Sequence, residues 1–184
     1  MWLDRCKRWA DFVDDAPALA AFGLELFESS ELVMLGTLRR EGGPRITPLE
    51  YFLYDGEFTL GGMWQSMKLL DLLRDPRCVL HSTTHDKSGE QGDFKLYGRA
   101  IAIDDAPYRE RYAEAVREAI GWAPTEPYHL FRLDITSAAF VLFGDPAAAI
   151  AERLREDPRT RVRMFGSDPN TSGYVVATWE PPRD

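Results

Sequence analysis

One stretch of the sequence decides how the rest of the chain is organised, and it reads Gly61-Gly62-Met63-Trp64-Gln65-Ser66-Met67-Lys68-Leu69-Leu70-Asp71-Leu72-Leu73-Arg74-Asp75-Pro76. The two glycines close a short run, residues 58–60, that is typical of a β-strand. Ser66 stands at the N-cap of a predicted helix, because apolar residues recur from Met67 onwards at spacings of three and four. Asp75-Pro76 ends that helix, since a residue before proline is biased away from helical conformation.

A strand, a glycine-bearing loop and a helix start together form a local arrangement that binds anions. The first N–H groups of a helix have no partner within it, and the helix dipole adds partial positive charge there. Phosphate is the anion most often bound at such a place. Lys68 lies in the first turn, where a cation opposes the dipole, and a bound phosphate would account for it. The alternative is that Ser66 is only a cap and Lys68 a solvated lysine.

The composition limits the class of protein. A chain of 184 residues with 45% hydrophobic residues predicts a single domain, residues 1–184, with a sizeable core. No apolar run approaches the roughly 18 residues of a spanning helix, and the N-terminus lacks a signal peptide's apolar core, so we expect a cytoplasmic protein without membrane partners. Cys6 and Cys78 show no metal spacing. The net charge of −8 argues against nucleic acid and favours a small-molecule ligand.

The hydrophobic pattern predicts strands in consecutive hairpins, without βαβ alternation. Strands are expected at 32–38, 45–54, 58–60, 77–83, 94–103, 129–143 and 173–179. Helices are expected at 4–13, from Pro17 to about residue 30, at 67–74, after Asp104 or Asp105, and from Asp145-Pro146 to residue 157. This order predicts an α+β, mainly β protein, an antiparallel barrel with accessory helices. Residues 145–170 form a possible helical insertion before the last strand, and their stretch from 159 onwards is predicted as a polar loop.

Three local signals refine the strands. Pro48 cannot donate to a ladder, so strand 45–54 should lie at an edge or be bulged there. Asp55-Gly56 predicts a tight hairpin turn. Gly98 predicts a bulge in strand 94–103, and a bend is possible near Thr136-Ser137 in strand 129–143.

Several of these pieces occur in the order seen in one known family. The pieces are Gly36-Thr37-Leu38, Gly42-Gly43-Pro44, Arg45-Ile46-Thr47-Pro48, Asp55-Gly56, Ser66-Met67-Lys68 and Asp75-Pro76-Arg77. The set resembles the pyridoxamine 5′-phosphate oxidase-like proteins over about residues 30–104. The resemblance implies a six-stranded antiparallel split β-barrel that forms a homodimer, with FMN held at the interface between the subunits.

The resemblance also implies the cofactor-binding positions. They are Arg45, Ile46, Thr47, Gly61, Gly62, Trp64, Gln65, Ser66 and Lys68. The family's Ser-Arg-Lys corresponds to Ser66-Met67-Lys68, so Met67 replaces an arginine that would meet the phosphate. Arg45 or a residue of the neighbouring subunit must then compensate.

Glu50 is the departure that bears on the substrate. The true oxidases carry a lysine there that meets the substrate phosphate, and a glutamate reverses this charge and should repel it. The family's C-terminal substrate motif of arginine and histidine is also not matched. The resemblance therefore implies an FMN-dependent oxidoreductase acting on a small molecule other than pyridoxamine phosphate. The alternatives on the same fold are a non-catalytic flavin- or haem-binding protein and a deazaflavin-dependent reductase.

Other candidate chemistry has weaker support in the sequence. His81 and His85 straddle a strand end and a loop, so they do not predict a metal site. His129 is interpreted as a capping or surface histidine. Trp122 and Trp179 are expected in the core or a dimer interface. No residue is assigned as a catalytic acid or base, because flavin carries the electron chemistry itself.

Overall fold

The computed structural model describes residues 7–84, 87–166 and 173–182. Cys6, His85 and residues 169 and 170 of the predicted polar loop lie outside these ranges. The described helices are α1 (Trp9–Asp15), α2 (Pro17–Glu28), α3 (Met67–Arg74), α4 (Ala106–Ile120) and α5 (Ala147–Arg155). The described strands are β1 (Val33–Leu38), β2 (Pro44–Leu49), β3 (Tyr51–Tyr54), β4 (Glu57–Met63), β5 (Arg77–His81), β6 (Asp93–Ala102), β7 (Tyr128–Phe143), β8 (Arg161–Phe165) and β9 (Tyr174–Trp179).

The strands form one antiparallel sheet whose two ends are consecutive in the chain. Its order is β2-β1-β5-β6-β7-β4-β3, with β9 pairing with β7 and β8. β2 and β3 lie at opposite ends of this order, yet only Glu50 separates them. The sheet must therefore curve until its two ends meet, which gives a barrel split at Glu50. The predicted class is confirmed, with nine strands in the described ranges where six were expected.

The strand predicted at 45–54 is two strands, so that prediction is wrong in its continuity. The first half, β2, pairs with β1, and the second half, β3, pairs with β4. The chain changes partner at Glu50, which is exposed and belongs to neither ladder. Alternation of side chains alone does not reveal a change of partner. Pro48 lies on an edge strand, as predicted, opposite Met34 of β1.

The hairpin and bulge signals are confirmed. Asp55 and Gly56 have φ values of 53° and 71°, which suit the tight turn between β3 and β4. The pairing of β6 with β7 shifts register between Tyr97 and Gly98, and the extra residue is Thr136 on β7. Any side chain at position 98 would bring its Cβ to 2.4 Å from the Asp134 carbonyl oxygen, so glycine is required there.

Helix α3 lies across the split and contacts both sides of it. On one flank, Leu69 packs so closely on Gly62 of β4 that a Cβ there would lie 2.5 Å from the leucine Cδ1. On the other flank, Lys68 and Asp71 contact Pro48 and Arg45 of β2. The stretch from residue 61 to residue 76 therefore joins the two ends of the sheet.

The core lies between the curved sheet and the helices α1, α2 and α5. It contains a group of fully buried aromatic side chains, namely Phe12, Phe27, Phe58, Phe94, Phe140 and Trp179. Trp179 is thus a core residue, one of the two places expected for it. A second, smaller cluster forms where α4 packs on β3 and β7, from Tyr112, Val116, Tyr128 and Leu130. No helix in the described ranges is both long and apolar enough to cross a membrane.

The segment before the last strand contains a helix and a strand. Helix α5 is confirmed, with Ala147, Ala151 and Leu154 buried. The polar loop predicted from residue 159 is wrong in part, because β8 lies within it and pairs with β9. Strand β8 is largely exposed and carries two arginines, so it has little of the hydrophobic signal from which strands are recognised.

Candidate functional site

A cavity of about 370 Å³ opens beside the split, between β3, β4, α4 and the loop after α4. Four of the residues singled out from the sequence line it, namely Glu50, Gly61, Gly62 and Trp64. The opposite wall comes from residues far along the chain, among them Tyr112, Trp122 and Tyr128. This volume is in the range that holds a small molecule.

Glu50 lies at the cavity, beside Lys68. The Lys68 ammonium donates to the Pro48 carbonyl oxygen at 2.6 Å. Burial lowers the pKa of Lys68, and the negative charge of Glu50 opposes that shift. The position expected to meet the substrate, Glu50, therefore carries a carboxylate, and the Lys68 ammonium lies close to it.

The turn between β4 and α3 is fixed by a histidine from β7. Gln65 has a left-handed φ of 62°, and its N–H donates to Nε2 of His129 at 3.3 Å. The Trp64 ring stacks on the same imidazole, with centroids 4.6 Å apart. Burial, followed by the Arg109 charge, lowers the pKa of His129, which suits an acceptor nitrogen. The interpretation of His129 as a surface residue is wrong, since it is buried, and its ring nitrogen instead accepts the Gln65 N–H at this turn.

Ser66 occupies the predicted N-cap position, but its side chain makes no capping hydrogen bond. Its carbonyl accepts from the N–H groups of Leu69 and Leu70. Met67 and Lys68 are the first two residues of α3, so their N–H groups have no acceptor within the helix. Met67 itself is exposed.

Arg45 and Asp71 form the centre of a polar seam between β2 and α3. The Arg45 Nε donates to Asp71 Oδ2 at 2.6 Å, and Asp71 is almost fully buried. Thr37 and Arg74 donate to the same carboxylate, each at 3.1 Å. Burial raises the pKa of Asp71, but these hydrogen bonds outweigh it and the net pKa is lowered. Asp71 therefore stays ionised and holds Arg45 in place.

Thr47 lies in the same seam with an unsatisfied hydroxyl. Its side chain shares a face of β2 with Arg45, two residues away, and β2 runs on to Pro48, whose carbonyl meets Lys68. Its Oγ1 is buried and has no hydrogen-bond partner among the described residues. A buried hydroxyl without a partner costs free energy, so this atom indicates where an acceptor is missing.

Ile46 points to the opposite face of β2. It is exposed and lines a second cavity, of about 450 Å³, together with Met34, Gly36, Val79 and His81. The structure thus divides the ten predicted positions. Glu50, Gly61, Gly62 and Trp64 meet at the first cavity, and Gln65, Ser66 and Lys68 adjoin it. Arg45 and Thr47 lie along the seam, and Ile46 is apart from both groups.

Sequence reasoning missed the far wall of the first cavity. Tyr112 and Tyr128 are separated from Glu50 by more than 60 residues, and only the packing of α4 brings them to it. Trp122 was expected in the core or an interface, but it is exposed at the cavity, so the core assignment is wrong. The signal that was available is the density of aromatic residues near the end of α4.

Comparison with known proteins identifies the family. The model of the pyridoxamine 5′-phosphate oxidase family matches residues 23–142. The chain belongs to this family. Curated protein sequences give no match. Among the described helices, α1 and the first half of α2 precede the matched region, and α5 follows it.

Solved structures show the same fold. A Clostridium acetobutylicum protein of the pyridoxinephosphate oxidase family, related to general stress protein 26 of B. subtilis, is 20% identical over 68% of this chain and 89% of its own, with a TM-score of 0.53. A nimC/nimA family protein from the same organism is 14% identical over 70% and 87%, with a TM-score of 0.53. HutZ, the haem storage protein of Vibrio cholerae, is 13% identical over 61% and 86%, with a TM-score of 0.51.

Proposed function

We propose that this protein binds FMN at the split of the barrel and acts as a flavin-dependent oxidoreductase on a small molecule other than pyridoxamine phosphate. The family membership supports the cofactor class, and the seam between β2 and α3 supports its place. We also propose a homodimer with the flavin at the subunit interface. Exposed apolar side chains beside the first cavity suit a surface of this kind, among them Met63 and Met67.

The observation that carries the proposal is the buried hydroxyl of Thr47, which has no hydrogen-bond partner in the part of the chain that the structure describes. It lies on the β2 face that Arg45 occupies, and α3 brings Lys68 to the same strand. A phosphate oxygen would accept from this hydroxyl and be attracted by both cations. Thr47 was expected to bind the cofactor, and a missing acceptor beside it fits that role.

The charges of the seam also fit an anion. Arg45 and Arg74 share the single carboxylate of Asp71, which leaves a net positive charge before Lys68 is counted. The ion pair uses the Nε–H of Arg45, one of the five N–H donors of a guanidinium. A local positive field of this kind offsets the replacement of the family's arginine by Met67.

FMN, once bound, would supply the hydride or electron chemistry. This chain's residues would bind and orient it. Thr47, Arg45, Lys68 and the first N–H groups of α3 would hold the phosphate. Trp64, fixed by His129, would lie toward the ring or ribityl chain. Glu50 would disfavour a phosphorylated substrate, because two anions close together in a partly buried site repel.

Replacing Thr47 with valine tests the site, because it should affect the empty and the loaded protein in opposite ways. Valine removes a buried hydroxyl that no described residue bonds, so the free energy of unfolding without FMN should be unchanged or rise by about 1 kcal/mol. FMN binding should weaken by about tenfold. Urea unfolding without ligand and an equilibrium FMN titration measure the two effects.

Thr37→Val is the matched control. Thr37 lies on the adjacent strand opposite Arg45, and its hydroxyl already bonds to Asp71 at 3.1 Å. This variant should lose stability on the order of 1 kcal/mol, because a made hydrogen bond is removed. If Thr47→Val binds FMN as tightly as the wild type does, the phosphate does not meet Thr47 and the proposed place is wrong.

Haem binding is the second candidate function. The likeness in fold to HutZ favours it, and the second cavity carries His81, whose imidazole is a possible iron ligand. The absorbance spectrum of the protein as purified distinguishes the two candidates. A flavin spectrum that is bleached by NADH or NADPH supports the oxidoreductase, and a Soret band supports haem.

A further inference from the structure

The first cavity is rich in aromatic side chains. Its described walls contain six aromatic residues, namely Tyr51, Phe52, Trp64, Tyr112, Trp122 and Tyr128. The one charged side chain among these lining residues is Glu50. The cavity is therefore an aromatic enclosure with a single carboxylate at its edge.

Aromatic faces and a carboxylate both attract cations. The face of an aromatic ring carries partial negative charge, and rings that surround an ammonium group are the usual means of recognising quaternary ammonium ligands. A carboxylate adds Coulomb attraction, which is strongest where water is partly excluded. The net charge of −8 also raises the concentration of cations near the protein.

We propose that the cavity binds a small organic cation, a substituted ammonium group, with Glu50 as its counter-ion and the rings of Trp64, Trp122 and Tyr112 around it. This inference rests on the proposed function for the idea that the cavity holds the substrate. It goes further by stating the charge and chemical class of that substrate.

The rings are not equally available. Trp64 stacks on His129 with one face, and about half of its surface is exposed, so its other face is open. Trp122 is exposed to a similar extent. The Arg109 guanidinium already lies over the Tyr128 ring, 4.1 Å from its centroid. Tyr128 therefore contributes least, and the two tryptophans contribute most.

The tyrosine hydroxyls in the cavity wall are uncharged, so Glu50 is the source of negative charge among the lining residues. Burial raises the pKa of Tyr112, so its hydroxyl stays neutral in the working pH range. The pKa of Tyr128 is raised in the same way by burial. Discrimination between a cation and a neutral molecule of the same shape should accordingly depend on position 50.

Lys68 partly offsets Glu50. Its ammonium is held by the Pro48 carbonyl, and its charge interacts with the Glu50 carboxylate. Removing this lysine should strengthen the field of Glu50 in the cavity. Lys68→Met should thus bind an organic cation more tightly, while FMN binding falls because a phosphate contact is lost.

Choline and its uncharged carbon isostere, 3,3-dimethylbutan-1-ol, are the probes for this inference. The two have almost the same shape and differ in charge. Isothermal titration of the full chain, with and without saturating FMN, should show choline binding about tenfold more tightly than the alcohol. Glu50→Gln keeps the side-chain shape and removes the charge, so it should reduce this ratio several-fold and leave the smaller preference that the aromatic rings supply.

Glu25→Gln is the matched control, because Glu25 is an exposed glutamate on α2 and its replacement changes the net charge equally. It should keep the preference for choline. The inference is overturned if choline and the alcohol bind equally to the wild type, or if Glu50→Gln keeps the full preference of the wild type. FMN binding without choline preference would contradict only this inference, and choline preference without FMN binding would support it while contradicting the proposed cofactor.

Discussion

Asp71 illustrates how one residue links stability to the site. It is buried beneath α3, and three donors from β1, β2 and α3 itself converge on its carboxylate. Without Asp71, the Arg45 guanidinium would lose the partner that orients it along the seam. The sequence assigned no role to Asp71, because two of its partners, Arg45 and Thr37, lie 26 and 34 residues away.

Asp71→Asn should lower the free energy of unfolding at pH 7 by on the order of 3 kcal/mol, because a buried charged partner is removed. The folded-state pKa of Asp71 lies below its unfolded value, so its stabilisation is present above about pH 4 and is lost as the pH falls through the folded pKa. Urea unfolding between pH 7 and pH 3 should show the difference from wild type shrinking in acid.

Asp75→Asn serves as the comparison for that measurement. Hydrogen bonds from the exposed Arg77 lower the pKa of Asp75 to about 2, but water screens this pair. At pH 7, Asp75→Asn should lower the free energy of unfolding much less than Asp71→Asn does. Equal losses would mean that the polar seam is no more important than a surface ion pair.

Lys68 belongs to both the fold and the proposed site. Lys68→Ala removes one hydrogen bond to the Pro48 carbonyl, so the free energy of unfolding should fall by about 1 kcal/mol. FMN binding should weaken by tenfold or more, because a cation that meets the phosphate is lost. Fluorescence titration with FMN and urea unfolding measure the two, and Lys87→Ala, at an exposed lysine, is the control. A large loss of stability with unchanged affinity would make Lys68 a purely structural residue.

At the scale of elements, the two glycines of β4 have separate roles. The family resemblance gave both of them one role, binding of the cofactor. The structure places Leu69 of α3 against Gly62 and the Tyr112 hydroxyl against Gly61, with the would-be Cβ atoms at 2.5 and 3.3 Å. Gly62 is therefore required for docking α3 across the split, while Gly61 faces the cavity wall.

Gly62→Ala should lower the free energy of unfolding by roughly 1–3 kcal/mol, because the added methyl overpacks the contact with Leu69. Gly61→Ala should cost less and should mainly alter ligand binding in the cavity. Thermal unfolding of both variants gives the comparison. A greater loss for Gly61→Ala would mean that α3 does not depend on close approach to β4.

Local signals predicted the elements well. The N-cap position of α3, the Asp55-Gly56 turn and the Asp105 start of α4 each depend on a few neighbouring residues, so the sequence carries them directly. The change of partner at Glu50 and strand β8 were missed. Both depend on which distant strand each segment pairs with, and neither leaves a local hydrophobic signature.

At the scale of the whole molecule, the sheet order explains why the site lies where it does. The ends of the sheet, β2 and β3, are joined at Glu50, and α3 spans the gap that remains. The seam and the first cavity lie on either side of this junction. The ordered motifs predicted this region. The aromatic wall that α4 contributes could not be predicted, because tertiary packing brings α4 to the cavity and no local sequence pattern indicates that packing.

The measurement that tests the central claim most directly is native mass spectrometry of the protein incubated with FMN. We expect a dimer of the 184-residue chain that carries two FMN molecules, and binding should be weaker in Thr47→Val. A chain that takes up no FMN at any concentration, or one that binds it equally well in Thr47→Val, would contradict the flavin site proposed at the split of the barrel.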